Sequence, residues 1–284
     1  MKFWQVLPFM DPRDAIELAA VSDECGYDGI SVPDHLFYPR ELRSRYLYSA
    51  DGKPGFGPDT PWADPWALIS AMAARTKHVR FTTNVYIAPA RDLFTVAKLV
   101  STAAVISNDR VALGVGAGWM REEFEQTGQD FDTRGKRLNE MIGVLRELWS
   151  GRWVAHHGTF YDFDELKIAP VPSEPVPIWI GGHSPAALVR AVELGDGWIG
   201  VDYQPDEAAD IARKIAKLRG GSSAPFEVIL AVRERIDADM CKRFEDLGVT
   251  GLFCAPALTA KAPDLATRTG AVRRFAERVL SMAR

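Results

Sequence analysis

Apolar residues along this chain fall into two alternating patterns: short runs of strand length, and longer stretches in which they recur at i, i+3 and i+4. Residues 2–7 predict a first strand. Asp11 then caps a helix with Pro12 at its first position and Ala15, Leu18, Ala19 and Ser22 on one face, and Gly26 ends it. A second strand at 29–32 runs into Pro33, Asp34 and His35, and from there to Ala63 the chain is rich in proline and glycine without a clear period. A structureless loop of that length inside a compact fold predicts a lid or a binding loop. The pattern resumes with a helix at 66–76, a strand at 79–84, a helix capped by Asp92, and a strand at 111–115. A long helix follows, marked by Leu138, Met141, Ile142 and Leu145 and stopped at Ser150 and Gly151. Residues 153–163, with Gly158 among aromatic and β-branched neighbours, predict a small hairpin outside the main repeat.

The next repeat, VPIWIGGHSPAALVRAVELG at 176–195, is the most legible. Its apolar run at 177–180 suits a strand buried on both faces, and Ser184 and Pro185 sit at the N-cap and first position of a helix. Between them Gly181 and Gly182 allow close approach of a ligand, and the helix start suits an anion such as a phosphate. A capped strand-to-helix turn with no ligand reads the same way. Strands at 197–201, 226–232 and 251–255 follow, separated by a helix bearing Ala208, Ile211, Ala212 and Ile215 and another near 237–247. The last helix buries Val272, Phe275, Ala276 and Val279. Eight strand-like runs thus alternate with eight helical ones, which predicts parallel strands closed into a (β/α)8 TIM barrel, treated as one domain over 1–284. A doubly wound sheet would carry Gly-x-Gly-x-x-Gly after its first strand; here Gly114, Gly116 and Gly118 are followed by Trp119 instead.

Composition changes this picture little. The chain of 284 residues is 47% hydrophobic and 25% charged with a net charge of −4, so it advertises no nucleic-acid footprint. It has no apolar run of membrane-spanning length and no signal-peptide core at its start, which predicts a cytoplasmic protein with no membrane partner. Cys25, Cys241 and Cys254 are too few and too dispersed for a disulfide framework or a CxxC site.

In a barrel the chemistry gathers at the C-terminal strand ends. There the chain offers Asp34 and His35 after strand two, Asn84 and Val85 after strand three, and Gly116 and Trp119 after strand four. After strand five come Gly181, Gly182, His183 and Ser184, and after strand six Asp202. His35 is the one histidine at a strand end beside a carboxylate and a long loop, so it is the candidate general acid or base. No metal is expected, because clustered His and carboxylate ligands are missing; no Gly-x-Ser-x-Gly elbow supports a serine hydrolase. Trp4, Phe9, Tyr86, Trp119 and Trp179 are candidates to line the mouth, with Trp4, Phe9 and Trp119 assigned to a substrate pocket and Trp179 to a cofactor. That set suits a flat, phosphorylated, redox-active ring.

Several segments, in order, resemble the bacterial luciferase-like flavin- and deazaflavin-dependent oxidoreductases. They are GISVPDHLF at 29–37, VRFTTNVYIAPARDLFTVAKLVSTAAVIS at 79–107, VALGVGAGW at 111–119, RGKRLNEMIGVLRELWSG at 134–151 and VPIWIGGHSPAALVRAVELGDGWI at 176–199. The resemblance implies a barrel carrying F420, or alternatively FMN, at its mouth, a non-prolyl cis bond at Asn84-Val85 against the ring, and a phosphate clamp at Gly181 and Gly182. It implies that Asp34 contacts the ring and that His35 handles the substrate proton. It also implies a homodimer. The chain departs from related sugar-phosphate dehydrogenases in having Trp119 where they place a glutamate, which points to a more apolar substrate. Arg40, Arg43 and Arg45 in the lid could meet an acidic deazaflavin tail. The expected activity is hydride transfer between F420 and a small organic substrate; the alternatives are a monooxygenase using reduced FMN from a separate reductase, and a flavin-binding barrel without catalysis.

Overall fold

A computed structural model describes residues 1–47 and 49–280. Strands β1 (Lys2–Val6), β2 (Gly29–Val32), β3 (Arg80–Thr83) and β4 (Val111–Val115) form half of a closed barrel. After a two-stranded insertion, β5 (Val154–His157) and β6 (Asp162–Leu166), come β7 (Ile178–Gly181), β8 (Gly197–Tyr203), β9 (Glu227–Val232) and β10 (Gly251–Cys254). The barrel order is β1-β10-β9-β8-β7-β4-β3-β2, and its neighbouring strands pair in parallel. The (β/α)8 TIM barrel expected from the alternation is therefore the observed architecture. No helix among the described residues is long and apolar enough to cross a membrane.

The helices start and stop where local chemistry directs. Asp11, Asp64, Asp92 and Ser184 accept hydrogen bonds from the first-turn amides of α1 (Pro12–Cys25), α2 (Pro65–Arg75), α3 (Leu93–Ser107) and α6 (Pro185–Leu194). Two elements depart from expectation. A short helix, α4 (Arg121–Gln126), precedes α5 (Arg134–Trp149), and the hairpin runs to Leu166 rather than ending at 163. The remaining helices are α7 (Pro205–Leu218), α8 (Ala238–Glu245) and α9 (Leu265–Phe275).

The barrel interior is filled in layers. At its N-terminal end Trp4 and Trp179 meet edge to face with centroids 5.2 Å apart. Gly29, Gly197 and Gly251 sit at the first positions of β2, β8 and β10; a Cβ at Gly29 would stand 2.2 Å from the Trp4 ring. Trp179 also borders a cavity of about 810 Å³ on the N-terminal face, beside Arg80 and Pro177. This corrects the assignment of Trp4 to a substrate pocket and of Trp179 to a cofactor. Both are 1% exposed and lie one interior layer, two residues along the strand, below the mouth positions Val6 and Gly181. Tyr86 is likewise removed from the mouth, because it is buried against Trp66 between barrel and helices.

Candidate functional site

The C-terminal mouth is floored by small apolar side chains. Val6, Val85, Val201 and Ala231 are partly buried and pack on the interior cluster below them. Val85 follows a cis peptide bond at Asn84-Val85, the position the resemblance implied. Its side chain enters the barrel between two glycines: an added Cβ would stand 2.5 Å from Val85 Cγ2 at Gly116 and 2.3 Å from Val85 Cγ1 at Gly181. Those glycines are therefore required by Val85. Gly181→Ala is expected to cost about 1–3 kcal/mol by overpacking, with part of the loss recovered when Val85→Ala is added. Urea denaturation of the single and double variants checks this, and a Gly181→Ala protein as stable as the parent would refute the packing argument.

Beside the floor stands His35, whose side chain is 7% exposed. Its ring is held at both nitrogens. The Trp119 indole nitrogen donates to His35 Nε2 at 3.3 Å, and because an indole N–H only donates, that nitrogen carries the lone pair. The hydrogen then resides on Nδ1, which faces Glu123 Oε1 at 3.1 Å. The same carboxylate oxygen accepts from the Leu36 amide at 2.7 Å. Glu123 is wholly buried, and its Oε2 has no partner among the described residues, an open acceptor next to the imidazole. Around the ring stand Phe56, Trp62 and Trp119 with centroids 5.0, 4.8 and 5.5 Å away. Phe9 closes this aromatic wall from the loop after β1, against Trp62 at 5.1 Å and in a left-handed backbone conformation (φ 56°). The structure thus brings together His35, Trp119 and Phe9 of the expected set.

Glu123 and its neighbour Glu122 were not legible beforehand, yet they fasten the 33–64 loop to the barrel. Glu122 accepts from the amides of Arg43 and Ser44 and from the Ser44 hydroxyl, at 2.6, 3.1 and 2.7 Å. Burial opposes its charge, but these donors hold its carboxyl below the ordinary glutamate value. Arg43 is engaged with Glu122 and Glu125, and Arg45 with the Ala50 carbonyl, so these two lid arginines fasten the loop rather than stand free.

Asp34 also takes a different role from the one expected. Its side chain is 1% exposed, and its two oxygens accept from Arg91 Nη2 at 2.7 Å and from the Ile87 amide at 2.9 Å. Burial pushes its carboxyl up against the opposing influence of Arg91. Both oxygens being engaged away from the mouth, Asp34 clasps the chain after Val85 rather than offering its carboxylate to a ring.

On the far side of Val85 lies the turn after β7. Gly182 has φ 109°, which favours glycine, and its carbonyl accepts from the Trp198 indole at 2.8 Å. His183 and Ser184 are exposed, with Ser184 capping α6 and His183 near Tyr203. Two arginines meet where α6 packs on the start of α5. Arg134 donates to the Gly118 and Phe131 carbonyls, and Arg190 to Asn139 and the Gly135 carbonyl. Neither forms an ion pair among the described residues. Arg190 is pushed below the ordinary arginine value by burial and then by Arg134. The glycine turn and the exposed start of α6 are what would fit a phosphate.

A family model described as luciferase-like monooxygenase matches residues 4–242. An uncharacterised protein of Mycobacterium tuberculosis is 35% identical over 287 residues, covering 99% of both chains. An F420-dependent glucose-6-phosphate dehydrogenase of Amycolatopsis mediterranei is 30% identical over 244 residues, covering 83% of this chain and 68% of that one. Among solved structures, an F420-dependent secondary alcohol dehydrogenase in complex with an F420-acetone adduct aligns with a TM-score of 0.74 over 99% of this chain and 98% of that one, at 18% identity. These matches show that the chain, whose barrel and ordered motifs are already described, belongs to the luciferase-like monooxygenase family.

Proposed function

We propose that the protein is an F420-dependent oxidoreductase acting on a small organic substrate, with His35 as its general acid or base. The observation that carries this reading is the Glu123–His35 pair, walled by aromatic rings at a mouth with an apolar floor. When bound, a deazaflavin supplies the donor or acceptor of a hydride. Val85, Gly116 and Gly181 form the surface on which its ring would rest, with Asn84 at the edge. Gly182, His183 and Ser184 would hold its phosphate at the start of α6. His35 holds or releases the substrate proton at Nε2, the nitrogen that Trp119 covers in this structure. Glu123 balances the charge that the imidazole acquires and fixes the ring through Nδ1. Phe9, Phe56 and Trp62 exclude water from the reacting end of the substrate. The names of the F420-dependent relatives support the cofactor.

The family description favours one further reading, an FMN-dependent monooxygenase supplied by a separate reductase. Titration of the purified protein with F420 and with FMN, followed by fluorescence, decides between them. F420 is expected to saturate in the micromolar range with FMN weaker by roughly tenfold or more, about 1.4 kcal/mol. Tighter binding of FMN, with oxygen consumed when reduced FMN is supplied, would replace the first reading by the second. Cofactor that binds but turns over with no reductant would leave a barrel without catalysis.

A further inference from the structure

A cavity of about 1000 Å³ opens over the C-terminal ends of β9 and β10. Its floor includes Val6, Ala231, Phe253 and Ala255. Val6 and Ala231 are also part of the mouth floor that carries Val85, so the cavity is a continuation of the mouth. Its walls are charged, with five cationic side chains against two carboxylates, in a chain whose net charge is −4.

Most of that excess is uncompensated. Arg233 is held by both oxygens of Asp202, at 2.8 Å each, and Arg278 lies over the Phe275 ring. Arg235, Lys261 and Arg274 have no ion-pair partner among the described residues. They come from three separate segments, the loop after β9, the loop after β10 and α9, yet border one apolar-floored hollow. Like charges gathered from different elements repel one another until an anion enters, and arginine pairs match the oxygens of phosphate and carboxylate. The loops after the seventh and eighth strands are also where barrels of this architecture often hold a phosphate group.

This hollow is separate from the turn after β7. In the barrel order β8 lies between β7 and β9, and none of residues 181–184 lines the cavity. Resting on the reading of the mouth as an oxidoreductase site, we propose that the β9–β10 cavity binds the acidic group, phosphate or carboxylate, of an amphipathic substrate whose apolar reacting end lies at His35. The aromatic wall and the cationic cavity then recognise opposite ends of one molecule. The substrate class is thereby narrowed from apolar compounds to organic acids and phosphate esters.

The test uses phenyl phosphate, phenylacetate, benzyl alcohol and inorganic phosphate as calorimetric probes of the whole protein and of its Arg235→Ala/Arg274→Ala variant. At least one aromatic anion is expected to bind roughly tenfold or more tightly than benzyl alcohol, and to lose about that factor in the variant and progressively with added salt. The tighter of phenyl phosphate and phenylacetate identifies the acidic group. Benzyl alcohol binding as well as the anions, or anions unaffected by the substitutions, overturns the proposal. So does inorganic phosphate matching phenyl phosphate, which would mean a bare ion site. An F420 titration of both proteins separates the two claims. Cofactor affinity lost in the variant assigns these cations to the cofactor and overturns the proposal. Absence of F420 binding in the parent, with the anion pattern intact, removes the cofactor reading while the acid-binding cavity stands.

Discussion

His35→Ala is expected to lower turnover by about 10²–10⁴-fold, the usual contribution of a positioned acid or base, while cofactor affinity changes little. The argument rests on where the ring sits. His35 is nearly enclosed, its Nδ1 is committed to a buried carboxylate, and Nε2, which accepts a long hydrogen bond from Trp119 in this structure, is the nitrogen a reacting group would have to take over. Glu123 acts through His35, so Glu123→Gln, which keeps an acceptor and removes the charge, should lower kcat and leave KM near its original value. Trp119→Phe removes the donor that covers Nε2 without removing the aromatic wall, and should leave kcat within a few-fold of the parent. Steady-state kinetics with the cofactor that binds best, together with cofactor titration of each variant, reads all three. Turnover undiminished in His35→Ala would take the imidazole out of the mechanism, and a Glu123→Gln variant altered only in KM would reduce Glu123 to a fastener of the lid.

Much of this was legible in the chain before any coordinates, for reasons that also explain what was not. The barrel follows from apolar runs and helical periodicity, both local properties, and the closed order of eight parallel strands agrees with it. That Val85, Gly116 and Gly181 lie at one mouth follows from strand ends sharing one face of a barrel, but that the two glycines answer to the Val85 side chain does not. Trp4 and Trp179 were misplaced because alternation tells inside from outside but not which layer of the interior a residue fills. Glu122 and Glu123 were missed for a different reason. Within REEFEQ they read as the polar face of a short charged segment, and their partners, Ser44 and His35, lie 78 and 88 residues away. Such pairings depend on how the loops fold back over the mouth, which no local pattern encodes. The charge of the β9–β10 cavity was hidden likewise, since Arg235, Lys261 and Arg274 are far apart in sequence and share no local pattern.

Arg91→Leu is expected to destabilise the fold by about 3–5 kcal/mol at neutral pH, the cost of stripping one partner from a buried ion pair. Asp34 would be left with the Ile87 amide alone, in surroundings that already push its carboxyl up through burial. Arg91 does more than neutralise it. The guanidinium also donates to the Ile87 carbonyl at 3.0 Å and lies 4.2 Å from the centroid of the Tyr86 ring, so Asp34 and Arg91 together grip both sides of the segment that follows Val85. The pH dependence has a definite sign. A carboxyl whose value is raised in the folded state contributes stability below its unfolded value and loses it as pH rises through the folded one. The deficit of the variant should therefore be largest at neutral pH and shrink on acidification toward the ordinary aspartate range near about pH 4. Urea denaturation across that interval measures it, and Asp34→Asn combined with Arg91→Leu should be more stable at neutral pH than Arg91→Leu alone. A deficit independent of pH, or a double variant no better than the single one, would show that Arg91 acts by packing rather than by compensating Asp34. Cofactor affinity reads the same clasp from its other end: if the pair holds the chain behind the floor, Arg91→Leu should weaken binding even under conditions where the protein remains folded.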